Sequence, residues 1–369
     1  MTWFARNWDQ VAVALGQHVV IALTALAIAM AIALPIGIAA ARSDRIHAIA
    51  IGISGVLYTI PTLAFLALLI PLVGLGRTNA IIAMVAFSLV VLIRNVATGI
   101  RGVAPDVIDA ARGMGMDARR ILLRIELPLA APVIVAGIRV AAVTVISVTV
   151  VAAYVNAGGL GTLIFNGIAG DHAPKIWSGA LTACALAIAA AIAIPAGIYA
   201  AHRRGAAFAT INVANVGRTL PSLAVLALVM PLLGTGFAPS LFALSLLALP
   251  PIVLNTLAGM RGIDPEVVDA ARGMGMTARE ILWRIEWPLA LPVIFAGLRT
   301  AAIQVISGAV LAAFIGGGGL GDFITAGIAM MAVPQLLVGA IPVTLLSLGA
   351  DFAFGALQRR MTPSGLRGA

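Results

Sequence analysis

The chain has 369 residues, of which 62% are hydrophobic and 10% charged, with a mean hydropathy of +1.10 and a net charge of +9. An ordinary soluble domain carries about a quarter charged residues, so this composition excludes one. Its long apolar runs cross a bilayer as helices, because each backbone polar group is then satisfied within its own segment. We therefore predict an all-α polytopic membrane protein rather than a membrane barrel, whose alternating pattern is absent.

About nine spans are predicted in chain order. They lie at about 18–41, 48–72, 79–100, 131–155, 176–201, 208–233, 238–259, 291–315 and 332–357.

The distribution of positive charge orients these spans. With the N-terminus outside, 16 of the 23 Arg and Lys residues fall on one side and three on the other, and four lie in or beside spans. Positive residues concentrate on the cytoplasmic side of membrane proteins. We therefore expect a multi-pass protein of the plasma (cytoplasmic) membrane, with its N-terminus outside and its C-terminus in the cytoplasm. The bilayer, and not nucleic acid, then accounts for the basic charge.

One polar stretch occurs twice. Residues 101–130 and 261–290 are identical at 22 of 30 positions, at an offset of 160 without a gap. Because one period contains four spans, the two copies keep the same orientation, which predicts parallel repeats about an axis along the membrane normal. We place the first repeat at 1–175 and the second at 176–369. The span 176–201 is shared, since it closes one repeat and opens the next.

Each repeated stretch predicts two short helices on the cytoplasmic side. Pro105 suits the first turn of a helix, and Gly113 and Gly115 end it. Thr277 and Glu280 have the spacing of a capping box that opens the following helix. The segment suits either a groove on a partner protein or an amphipathic connector on the membrane surface. Two nearly identical copies across a pseudo-twofold favour the first, because two copies of one partner need two equivalent sites.

These residues carry a family resemblance. Asp109-Ala110-Ala111, Gly115 and the later Ile-Glu-Leu-Pro ending at Pro128 resemble the EAA loop of ABC importer permeases. Asp269-Ala270-Ala271, Gly275 and Pro288 form the second copy, with Trp287 in place of the usual Leu. Both copies have Asp where that motif usually has Glu. The string ARGMGM and a later GGLG are most similar to the osmoprotectant group, which imports glycine betaine, choline, carnitine or proline.

The resemblance implies a type I ABC importer permease, with the whole pore in one chain. Two ATP-binding cassette ATPase subunits would dock on the two loops, and ATP and Mg²⁺ would bind to those subunits. The docking contacts that the resemblance implies are Asp109, Ala110, Ala111, Gly115, Asp269, Ala270, Ala271 and Gly275. No cofactor is expected on this chain, which lacks a phosphate loop of the form G-x4-GK-[ST]. No catalytic residue and no metal site are predicted, so the chain is not expected to be an enzyme. The resemblance also implies an extracytoplasmic substrate-binding protein.

Residues for the pathway are harder to assign. Small polar side chains in spans more often pack helices, but they are also candidates for its lining. Those candidates are Thr144, Ser147, Tyr154, Gln304 and Ser307. Aromatic residues are only 5% of the chain, too few to suggest a cage for a quaternary amine. Substrate selection is therefore assigned mainly to the binding protein.

Two further features have a structural interpretation. The GGLG turns at 158–161 and 318–321 are interpreted as tight turns with close helix approach, or alternatively as contacts for the binding protein. Arg139 and Arg299 lie at equivalent positions within spans, and we favour snorkelling or helix pairing over substrate contact. Asp351 is expected to orient the last helix. Three other functions stay open: a secondary transporter with parallel repeats, a permease for another small solute such as an amino acid, and a non-transporting membrane scaffold.

Overall fold

The structure is a computed structural model that describes residues 6–170, 173, 174, 176, 180 and 221–361. All regular structure in these ranges is helical. The first half contains α1 (Trp8–Arg42), α2 (Asp44–Thr59), α3 (Thr62–Val73), α4 (Arg77–Arg101), α5 (Pro105–Gly113), α6 (Ala118–Ile121), α7 (Leu127–Ala152) and α8 (Gly161–Ala169). The second half contains α9 (Ser222–Leu233), α10 (Phe237–Arg261), α11 (Pro265–Gly273), α12 (Ala278–Ile281), α13 (Trp287–Ala312), α14 (Leu320–Ala329) and α15 (Val333–Met361).

The two halves repeat one another helix by helix. The five helices α9 to α13 begin and end 160 residues after their counterparts α3 to α7. Each copy of the last of these, α7 or α13, is preceded by a π-helical turn and followed by a 3-10 turn. The predicted two-repeat, all-α architecture is therefore confirmed.

Within the described ranges, five helical segments are long and apolar enough to cross a membrane. They are Trp8–Arg42, Arg77–Arg101, Ala118–Val155, Ala278–Ile315 and Val333–Arg359. A sixth is possible if α2 and α3 together make one span. Except for residues 176 and 180, the predicted span 176–201 lies outside the described residues, as does the first part of 208–233. The total of nine and the shared span therefore stay predictions.

The predicted span 48–72 is broken rather than straight. It consists of α2 and α3, which meet at an angle of 100°. Pro61 lies at the break, and the residue before it, Ile60, has an extended backbone with φ −68° and ψ 128°. A proline disfavours the helical conformation at the residue that precedes it, because its ring crowds that residue's backbone. Hydrophobicity alone does not register this break.

Small residues bring the spanning helices close together. Ala25, Ala29 and Ala33 of α1 are fully buried, and α1 packs along α4. Across the pair α4 and α7, Gly137 faces Asn95, and a Cβ on that glycine would lie 2.5 Å from the asparagine Cβ. Gly297 faces Asn255 in the same way in the second half. Small residues allow this approach in lipid, where van der Waals contact drives helix association.

The last helix, α15, joins the two halves. It contacts α13 and α14 of its own half, and α2 and α3 of the first half. The Ser347 hydroxyl donates a hydrogen bond of 2.6 Å to the carbonyl of Thr59. Arg299 of α13 donates two hydrogen bonds to Asp351 of α15, at 2.5 and 2.6 Å. This bidentate pair confirms the helix pairing predicted for Arg299 and fits the orienting role expected of Asp351.

Candidate functional site

The two repeated loops have the same backbone. In each, a helix of nine residues begins with a proline, Pro105 in α5 and Pro265 in α11. Asp106 and Glu266 lie in the first turns, where the helix dipole favours a negative charge. Both helices end at a glycine, Gly113 or Gly273. The predicted bounds of these two helices are confirmed.

The loop glycine sets the direction in which the chain leaves each helix. Gly115 and Gly275 have φ of 77° and 80°. The Gly115 N–H donates to the Arg112 carbonyl, and the Met116 N–H donates to the Ala111 carbonyl at 3.1 Å. Together these two bonds form a Schellman motif, which requires a left-handed residue at the position of the glycine. A conformational need therefore explains the glycine of the motif.

The next short helix in each loop begins with a cap. The Asp117 side chain accepts a hydrogen bond from the backbone N–H of Arg120 at 2.7 Å. In the second copy, Thr277 and Glu280 form the complete capping box that the sequence predicts. The hydrogen bond from the Thr277 backbone to the Glu280 carboxylate lowers the pKa of that carboxyl. Since this carboxyl is ionised at neutral pH, the cap is present there and weakens only on acidification.

The motif residues divide into an exposed and a buried set. The side chains of Asp109 and Asp269 are 69% and 70% exposed and lie 3.1 and 2.9 Å from Arg112 and Arg272. Ala110 and Ala270 are also exposed. By contrast, Ala111 and Ala271 are fully buried in this chain. The expectation that Ala111 and Ala271 are docking contacts is therefore wrong, because their side chains pack against this chain. The aspartate and the first alanine of each motif are accessible.

Apolar side chains share the accessible surface. Met114 and Met274 are each 73% exposed, and Val107 and Val267 are exposed to nearly the same extent as each other. The two copies therefore present the same exposed apolar groups at equivalent positions. We call these surfaces the docking faces, each consisting of the exposed residues of α5 or α11 and the following turn.

An ion pair with one buried partner connects the first loop to α1. Arg42, at the end of α1, donates hydrogen bonds to both carboxylate oxygens of Glu126, one of them at 2.7 Å. The Glu126 side chain is only 3% exposed. Arg101, at the end of α4, donates to the carbonyl of Ala40 at 2.6 Å. Sequence analysis did not predict this contact. Its signal was Glu126, an acidic residue between the loop and a span, together with Arg42, a basic residue at the end of another span.

Pro128 and Pro288 lie where the loops return to the long helices. Each occupies the first turn of α7 or α13, directly after the π-helical turn. The helical backbone continues from the π-helical turn through each proline. Re-entry into the membrane at these two prolines stays a prediction.

The candidate pathway residues lie on α7 and α13 and in the turn after α7. Thr144 is the counterpart of Gln304, and Ser147 is the counterpart of Ser307. The Thr144 hydroxyl donates to the carbonyl of Val140 in its own helix at 2.9 Å, which is typical of a helix-packing threonine. Gln304 is exposed, and the two serines are half-buried. Tyr154 differs, because its hydroxyl donates to the carbonyl of Thr325 in the other half at 3.0 Å.

The glycine-rich turns have the geometry expected of tight turns. Gly158 and Gly318 have φ of 89° and 76°. A Cβ on Gly161 would lie 1.9 Å from the Val150 carbonyl oxygen, and one on Gly321 would lie 2.3 Å from that of Val310. Both positive φ and close approach therefore require glycine, as predicted.

Side chains of α1 hold the first of these turns. Gln17 accepts a hydrogen bond from the Gly159 N–H at 3.1 Å, and the Nδ1 atom of His18 accepts one from the Leu160 N–H at 3.3 Å. His18 is fully buried. Their counterparts by the repeat offset, Trp177 and Ser178, lie outside the described residues.

Comparison with known proteins identifies both halves with one family. The sequence matches the family described as "Binding-protein-dependent transport system inner membrane component" over residues 33–206 and again over residues 193–363.

Individual relatives are about three-fifths as long as this chain. The carnitine transport permease protein OpuCB of Listeria monocytogenes is 44% identical over 185 residues, 50% of this chain and 85% of the relative. The glycine betaine/carnitine/choline transport system permease protein OpuCB of Bacillus subtilis is 41% identical over 177 residues, 48% of this chain and 82% of the relative. The osmoprotectant import permease protein OsmW of Salmonella typhimurium is 36% identical over 217 residues, 58% of this chain and 96% of the relative.

Proposed function

Because the chain belongs to the family of inner membrane components of binding-protein-dependent transport systems, in which it is a fused double permease, we propose that it forms the transmembrane pore of an ATP-driven importer for small osmoprotectants. It is a membrane-embedded, multi-pass transport component. The finer parts of the proposal are the coupling loops, the number of partners, the direction of transport and the substrate.

The pair of equivalent docking faces carries the proposal. Each consists of a nine-residue helix with an exposed aspartate, a left-handed glycine and an exposed methionine. Two equal faces suit two copies of one partner. We assign that partner to an ATP-binding cassette ATPase, which would hold ATP and Mg²⁺. The contacts we assign to it are Asp109, Ala110 and Gly115, with Asp269, Ala270 and Gly275.

The ion pair at the first loop suggests how movement of that loop reaches the spans. A displacement of α5 acts on the π-helical turn and on Glu126, which Arg42 holds to the end of α1. ATP-driven closure of the two ATPase subunits would draw α5 and α11 together. The repeats would then rock about the axis between them, which is the alternation that a transporter requires.

The substrate class follows from the relatives. Their names give carnitine, choline, glycine betaine and osmoprotectants as what those proteins transport. For this chain we propose import of a small quaternary amine of this class, delivered by an extracytoplasmic binding protein. The repeat boundary between residues 175 and 176, the N-terminus outside and the C-terminus in the cytoplasm belong to the same proposal.

A secondary transporter is less consistent with the charges. Such a carrier is expected to use an intramembrane ionisable group for its coupling ion. Asp351 is the candidate that the sequence offers, and Arg299 engages both of its oxygens. This pairing favours a structural role for Asp351.

Charge reversal at both docking faces tests the proposal. We expect Asp109→Lys with Asp269→Lys to reduce copurification of the ATPase with the affinity-tagged chain about ten-fold or more, because reversing a charge at an interface removes its electrostatic complementarity. ATP-dependent choline uptake into proteoliposomes should be lost together with the ATPase.

The control makes the same change of charge elsewhere. Asp9→Lys with Asp322→Lys alters two exposed aspartates. Both lie at the end of the molecule that is remote from the loops. This variant should retain its ATPase. The coupling assignment fails if the loop variant keeps both the ATPase and choline uptake.

A further inference from the structure

Three aromatic rings meet where the two halves join. Tyr154 lies in the turn after α7, Phe165 in α8, and Phe314 in the turn after α13. The Tyr154 and Phe314 ring centroids are 4.6 Å apart at an interplanar angle of 72°. Phe165 is 5.1 Å from Tyr154 and 4.8 Å from Phe314. We call this group the ring cluster.

The ring cluster lies on the axis that relates the two repeats. Tyr154 and Phe314 are counterparts, separated by the 160-residue offset that relates all the matched helices. Two equivalent residues touch each other only where the symmetry axis passes between them. A passage between two repeats related in this way runs along that axis. At a centroid separation of 4.6 Å, the two rings are in contact with each other on that axis.

The cluster is at the end of the molecule remote from the docking faces. The loops precede the N-termini of α7 and α13, whereas the rings follow their C-termini. In each half a helix of 26 residues lies between the loop and the ring. At the usual rise per residue this helix is about 39 Å long. With the loops in the cytoplasm, the rings are at the outer end of the pathway.

The surrounding backbone fixes the rings. Asn156 and Gly316, two residues after Tyr154 and Phe314, are counterparts with φ of 66° and 76°. They turn the chain directly behind the rings. The hydrogen bond from the Tyr154 hydroxyl to the Thr325 carbonyl then ties the cluster to α14.

The cluster is not symmetric. Phenylalanine faces tyrosine across the axis, and the counterpart of Phe165 is Thr325. A pore made of two identical repeats would not contain this arrangement, so fusion of two diverged repeats permits it. Ser147 and Ser307 lie seven residues before the two axial rings, two helical turns towards the loops and close to the same face.

We propose that Tyr154, Phe165 and Phe314 form the constriction at the outer end of the pathway, and that their ring faces receive a quaternary ammonium group as it passes. The substrate part of this inference rests on the proposed function. Aromatic faces attract such cations through the ring quadrupole, whereas aliphatic side chains of similar bulk would only block the way. The few aromatic residues of the chain therefore supply a site that composition did not suggest.

Passive leak tests the constriction. The complex of the chain with its ATPase is reconstituted without ATP in vesicles loaded with radiolabelled choline. Tyr154→Ala with Phe314→Ala should release choline at least about ten-fold faster than the unaltered complex, because a hydrophobic constriction is the barrier to permeation. Phe65→Ala is the matched control, since that ring contacts Phe87 within one half, at 5.4 Å.

Further variants separate ring chemistry from bulk. Tyr154→Leu with Phe314→Leu should not increase passive choline leak. It should reduce kcat for choline transport about five-fold, because the cation–π contact is lost. KM should not change at saturating binding protein. Tyr154→Phe keeps the ring and loses only its hydroxyl. It should therefore show no additional choline leak and retain most of kcat.

The outcomes are distinguishable. No additional leak from the alanine variant overturns the constriction, and an unchanged kcat in the leucine variant overturns the cation contact. Failure of the proposed function is a different result, in which the unaltered complex takes up no choline with ATP. The leak measurement uses no ATP and decides the constriction in either case.

Discussion

Each loop contains two glycines, two residues apart, that have different structural roles. Gly113 is the last residue of α5, whereas Gly115 adopts the left-handed conformation that directs the chain away from it. A Cβ at either position would meet no atom within 4 Å. Backbone conformation alone therefore distinguishes them, and their counterparts Gly273 and Gly275 repeat the distinction.

This difference predicts the effect of alanine. Gly115→Ala with Gly275→Ala should strain each loop by about 1 kcal/mol, because L-residues disfavour this region. The affinity for the ATPase should fall about five-fold per docking face. Gly113→Ala with Gly273→Ala should leave affinity unchanged. Titration of the detergent-solubilised chain with the ATPase measures both, and an equal loss in the two variants would contradict the argument from conformation.

The ion pairs of the loops differ in burial, so they should also differ in how much they contribute to the free energy of unfolding. We expect Glu126→Gln to lower the free energy of unfolding by about 2 kcal/mol, less than for a fully buried pair because Arg42 is half-exposed. Arg112→Gln breaks an exposed pair and should cost at most about 0.5 kcal/mol. Thermal unfolding in detergent should therefore separate the two variants. Equal midpoints would refute the importance given to the buried pair.

At the scale of helices, the sequence predicted the loops better than the spans. Prolines, left-handed glycines and caps act within a few residues, so the bounds of α5 and α11 and the capping box at Thr277 were predictable. The bend at Pro61 was less predictable, because a hydropathy window averages over the few residues that cause the bend. The contact between Arg42 and Glu126 joins residues 84 positions apart and depends on helix packing.

Helix packing provides a further prediction. Gly137→Ala should destabilise the protein by roughly 1 to 3 kcal/mol, because its Cβ would overlap the Asn95 side chain. Gly52 is its control, a helical glycine with no atom within 4 Å of an added Cβ. Gly52→Ala should be neutral or slightly stabilising. The yield of monodisperse protein after mild heating measures the difference, and equal behaviour of the two variants would contradict the packing described for α4 and α7.

At the scale of the whole molecule, the internal repeat was the most informative part of the sequence. The offset of 160 predicted the correspondence of the helices and the equal backbone of the two loops. It did not predict the ring cluster, because the sequence does not indicate which counterparts meet at the axis. That Tyr154 meets Phe314, with Phe165 beside them, depends on how the halves pack together.

The central claim is that one chain provides both halves of the pore and both docking faces. Native mass spectrometry of the complex, purified through a tag on this chain, tests it most directly. We predict one copy of the 37.6 kDa chain with two ATPase subunits. A complex of two such chains with two ATPase subunits, or of one chain with a single ATPase subunit, would contradict it.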